Sequence, residues 1–539
     1  MDETLTHDAP ASETKNAETI AIESQWTRRA LWLILGLGVF RLCYLAFDPF
    51  DLVHDEAYYW DWSRQLDYGY FSKPPMIAWI IGLSTRLLGN HEFAVRLPAV
   101  LLGTGSLWFV FLLGRRMYDA RVGFWAALLA AMTPGNVAMS LLMTIDSPFL
   151  FFWSVALYAF WRMLERGEDR WKWLVVTMLI IGLGLLTKQT MLAMLVFGGL
   201  FVLLSKTDRF EALRPGLYVC ALGALLFLVP VFVWNYQHDW VTLQHTSEHF
   251  QAKHVSLWQR TVGSLEFVGG LFGVISPVTF FLVAAVGMFG LLAFRRLGRR
   301  DQYLLCLSAL PMLLVLGLSF KQRLELNWPA PFFTAAMVLV AAWGLGHFQL
   351  PALRLSPSVG RLRHAAIVGA VFLAGTYALP VALTLLGMNG SKLDVLARLR
   401  GWEELGQQVD QTLVEKQAPA SVMIVTAGRA IAAELAFYMP RHPRVHVWDD
   451  NTYPLSQYDV WGGPQGVEGD DVLVVTKGSE PVPDALRLAF ARVEKVDQVT
   501  IDIGQGRQHK VTIYRGENFR GWSVAKAFQA SERERTLRR

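Results

Sequence analysis

The sequence predicts a mostly α-helical protein that crosses a membrane about 11 times and ends in a small α/β domain. Three observations predict it. The composition is 53% hydrophobic and only 18% charged, with 20 tryptophans and 33 phenylalanines, whereas a soluble chain carries roughly a quarter charged residues. Apolar runs of bilayer-spanning length, roughly 20 residues, follow one another from Ala30 to residue 387. From residue 391 onward short alternating or β-branched runs replace them.

Residues 1–27 are polar, lack apolar periodicity and read as a disordered tail. Arg28 and Arg29 precede the run Ala30–Phe47. No small-residue cleavage site follows it, so it reads as an uncleaved anchor. Further runs occupy 93–114, 121–142, 147–164, 171–187, 189–205, 217–234, 265–294, 303–319, 330–347 and 365–387. The run 265–294 is long for one span and has room for a surface segment. Basic clusters occupy every second loop: Arg115/Arg116/Arg121, Arg162/Arg166/Arg170/Lys172, Lys206/Arg209/Arg214, Arg295/Arg296/Arg299/Arg300 and Arg354/Arg361/Arg363. Short loops rich in Lys and Arg stay cytoplasmic, so the N-terminus is expected inside and, after an odd number of spans, the C-terminal part outside. These loops also account for the net charge of +5, so no nucleic-acid partner is expected. Cys43, Cys220 and Cys306 all lie in apolar runs, which leaves no disulfide framework outside.

The expected organisation is a membrane domain over 28–390, an outer α/β domain over 391–524 and a charged tail over 525–539. Strands are expected at 421–427, 444–448, 471–476, 499–503 and 509–514, and helices at 428–439 and 483–493. Gly504-Gln505-Gly506 lacks the strand–turn–helix context of a nucleotide fingerprint.

The charge rule puts the loops 48–92, 143–146, the turn at Lys188, 235–264 and 320–329 on one side. The first holds Asp55-Glu56, the aromatics Tyr58, Tyr59, Trp60 and Trp62, and Lys73-Pro74-Pro75. Either acid suits a general base or a cation contact; the plain alternative is a solvated loop end. A lysine presented by Pro-Pro suits a phosphate, or else snorkels at the interface. Asp146, before Ser147-Pro148, is a functional candidate at a span end or an N-cap. Lys188 interrupts two spans and is a second phosphate candidate or a turn lysine. Arg96 needs a partner, and a carboxylate of the first outer loop is the simplest. Arg323, Glu325, Asn327 and Trp328 form a set able to hydrogen-bond a sugar, or an ordinary interfacial loop. His238, His245, His249 and His254 admit a divalent metal, but no HExxH or cysteine pair supports one and none is assigned.

Several of these elements, in this order, resemble the C-type (GT-C) glycosyltransferases. They are Asp55-Glu56-Ala57-Tyr58-Tyr59, Gly69-Tyr70-Phe71-Ser72-Lys73-Pro74-Pro75, Val95-Arg96-Leu97-Pro98, Asp146, Thr187-Lys188 and Asn327-Trp328-Pro329. The likeness is to bacterial relatives of protein O-mannosyltransferases, aminoarabinose-to-lipid-A transferases and lipopolysaccharide galacturonosyltransferases. It spans roughly residues 30–390 by order and topology. Ser456–Trp461 in the outer domain resembles uncharacterised bacterial members. The resemblance implies a polytopic enzyme of the bacterial inner membrane. A polyprenyl-phosphate-linked sugar would be its donor, and a glycolipid such as lipid A, another glycan or a protein its acceptor. The sugar would be transferred at the periplasmic face with inversion. It implies Asp55 as base, with Glu56 the alternative and Asp146 positioning the acceptor or sharing the role. Lys73, helped by Arg96 or Lys188, would stabilise the lipid phosphate; Tyr58, Tyr59, Glu325 and Asn327 would contact substrate. Many relatives have an acid where this chain has Ser72, which puts any metal or substrate contact of that acid in doubt. The competing class is a transporter or lipid flippase, but no half-to-half symmetry is visible.

Overall fold

A computed structural model describes residues 9–47, 50–248, 256–419, 421–448, 451, 453–466, 468–524, 526, 527 and 529. The chain divides into two compact units. One comprises residues 1–46, 96–229 and 250–377, the other residues 47–95, 230–249 and 378–539.

The first unit is helical. Among the described residues five helices are long and apolar enough to cross a membrane, or up to seven if two bent pairs each count as one span. The run 121–142 is such a pair: Ala120–Ala131 and Pro134–Leu141 meet at 76°. Thr133 caps the second helix by accepting the Asn136 N–H, and Pro134 stands where a missing N–H costs nothing. The long run 265–294 breaks more sharply. Leu257–Ile275 and Pro277–Leu292 meet at 114°, with Ser276 at φ +73° ahead of Pro277. Helix Ala330–Gly344 is buried without a break from Pro331 to Gly344, which is what an all-round apolar helix requires. It is a central part of the main core, together with Trp153, Phe160, Phe201 and Tyr303.

The polar stretch 1–27 departs from expectation. Residues 1–8 lie outside the described residues, and helix Ala9–Ala46 takes in the rest. Its end is anchored by specific contacts that composition hides. Glu23 accepts the Ala120 N–H at 2.9 Å and pairs with Arg115 at 3.4 Å. Trp26 packs on Phe124 with 5.1 Å between centroids, under the guanidinium of Arg29 at 4.5 Å.

The second unit contains a five-stranded sheet of order β2-β1-β3-β5-β4. The strands are β1 (Met423–Thr426), β2 (Val445–Val447), β3 (Val472–Lys477), β4 (Arg492–Gly504) and β5 (Arg507–Glu517). β1 runs parallel to β2 and β3; β5 is antiparallel to β3 and β4. Helix Arg429–Tyr438 follows β1 as expected. The helix expected at 483–493 shrinks to Asp484–Arg487, because β4 starts at Arg492 and pairs with β5 along its length. Helix Trp402–Glu415 was not expected; it buries Leu405, Val409 and Leu413 at i, i+4 and i+8. Gln505 (φ +44°) and Gly506 (φ +75°) form the two-residue turn of the β4–β5 hairpin, and both central residues of a type I′ turn need positive φ. The Gly-Gln-Gly run is therefore hairpin chemistry. In the loop 48–92, helices His54–Ser63 and Met76–Leu88 flank the Lys-Pro-Pro segment.

Candidate active site

In the second unit, helix His54–Ser63 begins after Val53, which has no side chain able to cap it. Glu56, at the third helical position, supplies the cap from inside: its carboxylate accepts the Val53 N–H at 3.1 Å. Glu56 is 0% exposed. Its neighbour Asp55 is different. The Asp55 side chain is 43% exposed and meets Arg429 Nη2 at 3.4 Å and His54 Nε2 at 3.8 Å. Burial pulls the His54 imidazole below its ordinary pKa, against the pull of Asp55, so at neutral pH it adds little positive charge. Asp55 also lies in the first helical turn, where the helix dipole favours an anion.

The aromatic belt packs rather than lines a mouth. Tyr58 and Tyr59 are 1% and 7% exposed. Each meets Trp62 edge-on, at 4.8 and 5.0 Å, and Trp62 stacks on Tyr70 at 4.5 Å. The Tyr58 hydroxyl accepts the Gln457 N–H at 2.5 Å; burial pushes this phenol far up, so it stays protonated. Gln457 Oε1 in turn accepts the Phe71 N–H at 2.6 Å. Helix Gln457–Trp461 thereby ties His54–Ser63 to the segment carrying Lys73. That segment is further fixed by a Tyr70 N–H to Lys73 C=O bond of 3.1 Å and by Thr242 Oγ1 donating to Tyr70 C=O at 3.0 Å. Gly69 lies against the Trp234 ring, where a Cβ would come within 2.8 Å. Lys73 is half-buried, and Pro74, Pro75 and Ser72 are buried.

In the first unit three expected residues converge. Asp146 Oδ1 pairs with Lys188 Nζ at 2.8 Å, and Asn327 Nδ2 donates to Asp146 Oδ2 at 2.6 Å. The Asp146 and Lys188 side chains are 9% and 13% exposed. Asp146 is the first helical residue of Asp146–Leu164, not its cap; the cap position is Ile145. Lys188 therefore carries a charge already balanced by Asp146. Glu325 is exposed, with its carbonyl accepting the Trp328 N–H at 3.1 Å. Arg96 is 1% exposed in helix Glu92–Met117.

His238 stacks on Trp234 at 4.1 Å and His245 packs on Phe71 at 4.7 Å; His249 and His254 lie outside the described residues. Among the described residues no three His, Cys, Asp or Glu side chains form a metal-sized group. Sequence reasoning missed Arg429, which approaches Asp55 only through the fold, and the tie that Gln457 makes to Tyr58 and Phe71. It also missed Arg41, whose signal was visible as a lone arginine in an apolar run. Arg41 is 0% exposed; its Nη2 donates to Asn136 Oδ1 at 2.7 Å and its Nε to the Tyr377 hydroxyl at 3.0 Å.

Comparison with known proteins decides the family. Residues 72–234 match the family model described as dolichyl-phosphate-mannose-protein mannosyltransferase. The lipid A galacturonosyltransferase RgtD of Rhizobium johnstonii is 30% identical over 463 residues, covering 84% of this chain and 91% of the relative. This chain belongs to the C-type glycosyltransferases. A second member, the undecaprenyl phosphate-α-4-amino-4-deoxy-L-arabinose arabinosyl transferase of Pseudomonas paraeruginosa, is 30% identical over 178 residues, covering 30% of this chain and 32% of the relative. The fold of this glycosyltransferase is that of ArnT from Cupriavidus metallidurans. The apo structure and the one bound to undecaprenyl phosphate both give a TM-score of 0.58, at 16% and 17% identity, and cover 92% of this chain and 98% of theirs. The named relatives of this glycosyltransferase are transferases, so the transporter reading is set aside.

Proposed function

We propose that this glycosyltransferase moves a sugar from a polyprenyl-phosphate donor to a cell-envelope acceptor, lipid A or another glycan or protein, at the periplasmic face of a bacterial inner membrane. About 11 spans with a cytoplasmic N-terminus and a periplasmic α/β domain follow from the loop charges. The observation that carries the reading is the contrast between adjacent carboxylates: Glu56 is buried and spent on capping, whereas Asp55 is open to an incoming hydroxyl.

The reaction is one displacement. The acceptor oxygen attacks the anomeric carbon while Asp55 takes the hydroxyl proton. The bond from that carbon to the phosphate oxygen breaks, its electron pair leaves with the polyprenyl phosphate, and the configuration inverts. Lys73, held by the Tyr70–Lys73 turn, offsets charge growing on the phosphate. In its own unit Asp146, with Lys188 and Asn327, orients sugar hydroxyls.

The test is transfer from a radiolabelled lipid-linked sugar into envelope lipid by purified protein in nanodiscs. Asp55→Asn is expected to stop transfer while the protein still elutes as a folded species. Near-normal turnover would remove Asp55 as base.

A further inference from the structure

A cavity of about 690 Å³ opens in the second unit, at one end of its sheet. Strand order places it. After β1 the chain turns toward β2 through helix Arg429–Tyr438; after β3 it turns the other way, toward β5 and β4. The carboxyl ends of β1 and β3, adjacent and parallel, thus part at a topological switch point, where open α/β sheets bind ligands. Ala427 and Gly428 after β1, and Gly478 and Glu480 after β3, line the cavity.

Its charge is one-sided. Arg398, Arg429, Lys477, Arg507 and Lys510 face it, against one acid, Glu480. Arg429 has Asp55 as partner. Among the described residues the other four cations have no carboxylate at ion-pair distance. Grouped like charges raise one another's energy, and an anion between them relieves it. The uncapped first turn of helix Arg429–Tyr438 adds backbone N–H groups to the same wall.

The rim is preformed. Gly478 N–H donates to Lys510 C=O at 2.7 Å, Thr512 Oγ1 to Gly478 C=O at 2.7 Å, and Thr476 Oγ1 to Glu480 C=O at 2.6 Å. Beside the cations, the rings of Trp402 and His509 stack at 4.0 Å, and His509 Nε2 bonds Arg400 C=O at 2.9 Å. Burial lowers the His509 pKa. The ring is then neutral, and with Nε2–H donating, its Nδ1 is an acceptor. An aromatic platform and a neutral acceptor suit sugar rather than a bare ion. The cavity also reaches His54, next to Asp55 in the chain.

We propose that this switch-point crevice is a recognition site for anionic groups, phosphate or carboxylate, carried on the glycan part of the acceptor. Calling that glycan the acceptor rests on the transfer reading above; the site itself does not.

The experiment is isothermal titration of the full-length protein in zwitterionic nanodiscs. The probes are an acyl-free glucosamine disaccharide bearing two phosphates, its dephosphorylated form and inorganic phosphate. The bisphosphorylated disaccharide is expected to bind, the dephosphorylated form to bind at least about tenfold more weakly, and inorganic phosphate to compete only at large excess. The triple variant Lys477→Gln/Arg507→Gln/Lys510→Gln should weaken binding about tenfold or more, while Lys477→Arg/Arg507→Lys/Lys510→Arg should stay within about threefold of the parent. Equal affinity of parent and Gln variant, or equal loss in both variants, overturns the site. Mole-for-mole competition by inorganic phosphate, or loss of probe binding on adding phosphatidylglycerol, overturns the glycan assignment in favour of free phosphate or a lipid head group. Probe binding without sugar transfer would sink the transfer reading and leave the crevice standing; transfer without probe binding does the reverse.

Discussion

The two polar clusters of this glycosyltransferase are built on opposite principles. Asp146, Lys188 and Asn327 are closed: one carboxylate, one ammonium and one amide, nearly out of water, bond each other at 2.6 and 2.8 Å. Asp55 is open: its nearest cation is 3.4 Å away, both partners are 43% exposed, and beside it begins a crevice where, among the described residues, Arg398, Lys477, Arg507 and Lys510 have no carboxylate at ion-pair distance. The closed cluster has settled its charge internally, so it can fix geometry but offers little net field. The open one, on the proposed mechanism, has charge to give to a reacting group. Desolvation makes the same difference energetic. Removing one partner of a buried pair strands the other, whereas an exposed pair is cheap to break.

The sharpest way to break this contrast is at the open cluster's acid. Asp55→Asn should lower transfer about 10²–10⁴-fold, read as initial rates of sugar incorporation, with thermal unfolding almost unchanged. At the closed cluster the ranking inverts. Lys188→Met should cost about 3–5 kcal/mol of stability by leaving Asp146 unpaired, measured as loss of unfolding temperature in detergent. The double variant Asp146→Asn/Lys188→Met should recover most of that loss, and a purely additive cycle would show that the pair is not coupled.

Asp51 sharpens the comparison at an intermediate level, since it is buried yet belongs to the open cluster's unit. Its carboxylate accepts the Trp402 N–H at 2.6 Å, and burial raises its pKa to about 6. The folded state then holds the proton more tightly than the unfolded chain. Stability from this group is greatest below pH 4 and is lost as pH rises to about 6. The difference in unfolding free energy between the parent and Asp51→Asn, measured by denaturant titration, should therefore change across that window by about 1–3 kcal/mol and stay flat above it. The smallest effect belongs to Arg429→Gln, about 0.2–1 kcal/mol of stability, in the same unfolding assay. A larger loss would mean that the Asp55 pair is less open than its exposure indicates.

Much of the fold was legible because membrane helices write themselves as apolar runs. Even the breaks at Thr133-Pro134 and Ser276-Pro277 carry their turn chemistry in the sequence. The small domain was harder. Arg492–Gly504 carries enough Glu, Lys and Asp on its exposed face to blur its period of two, and only pairing with Arg507–Glu517 settles it as a strand. At the candidate site, Asp55 and Lys73 stood out as candidates by their neighbours. Arg429 could not, because it lies 374 residues from Asp55 in the chain and is brought there by a sheet. Nor could the role of Glu56: a capping box normally starts with Ser or Thr, and Val53 hides the signal. Nor could the burial of Tyr58 and Tyr59, because aromatic belts and aromatic cores have the same composition.

The carboxylate of Glu56 holding the Val53 amide has a practical consequence for anyone altering this protein. The helix start is secured by residue 56, so residue 55 is not needed to cap it. Glutamate, asparagine or cysteine installed at position 55 would change reach, charge or reactivity at the cost of the Arg429 pair, about 0.2–1 kcal/mol, while the cap that presents the residue stays in place.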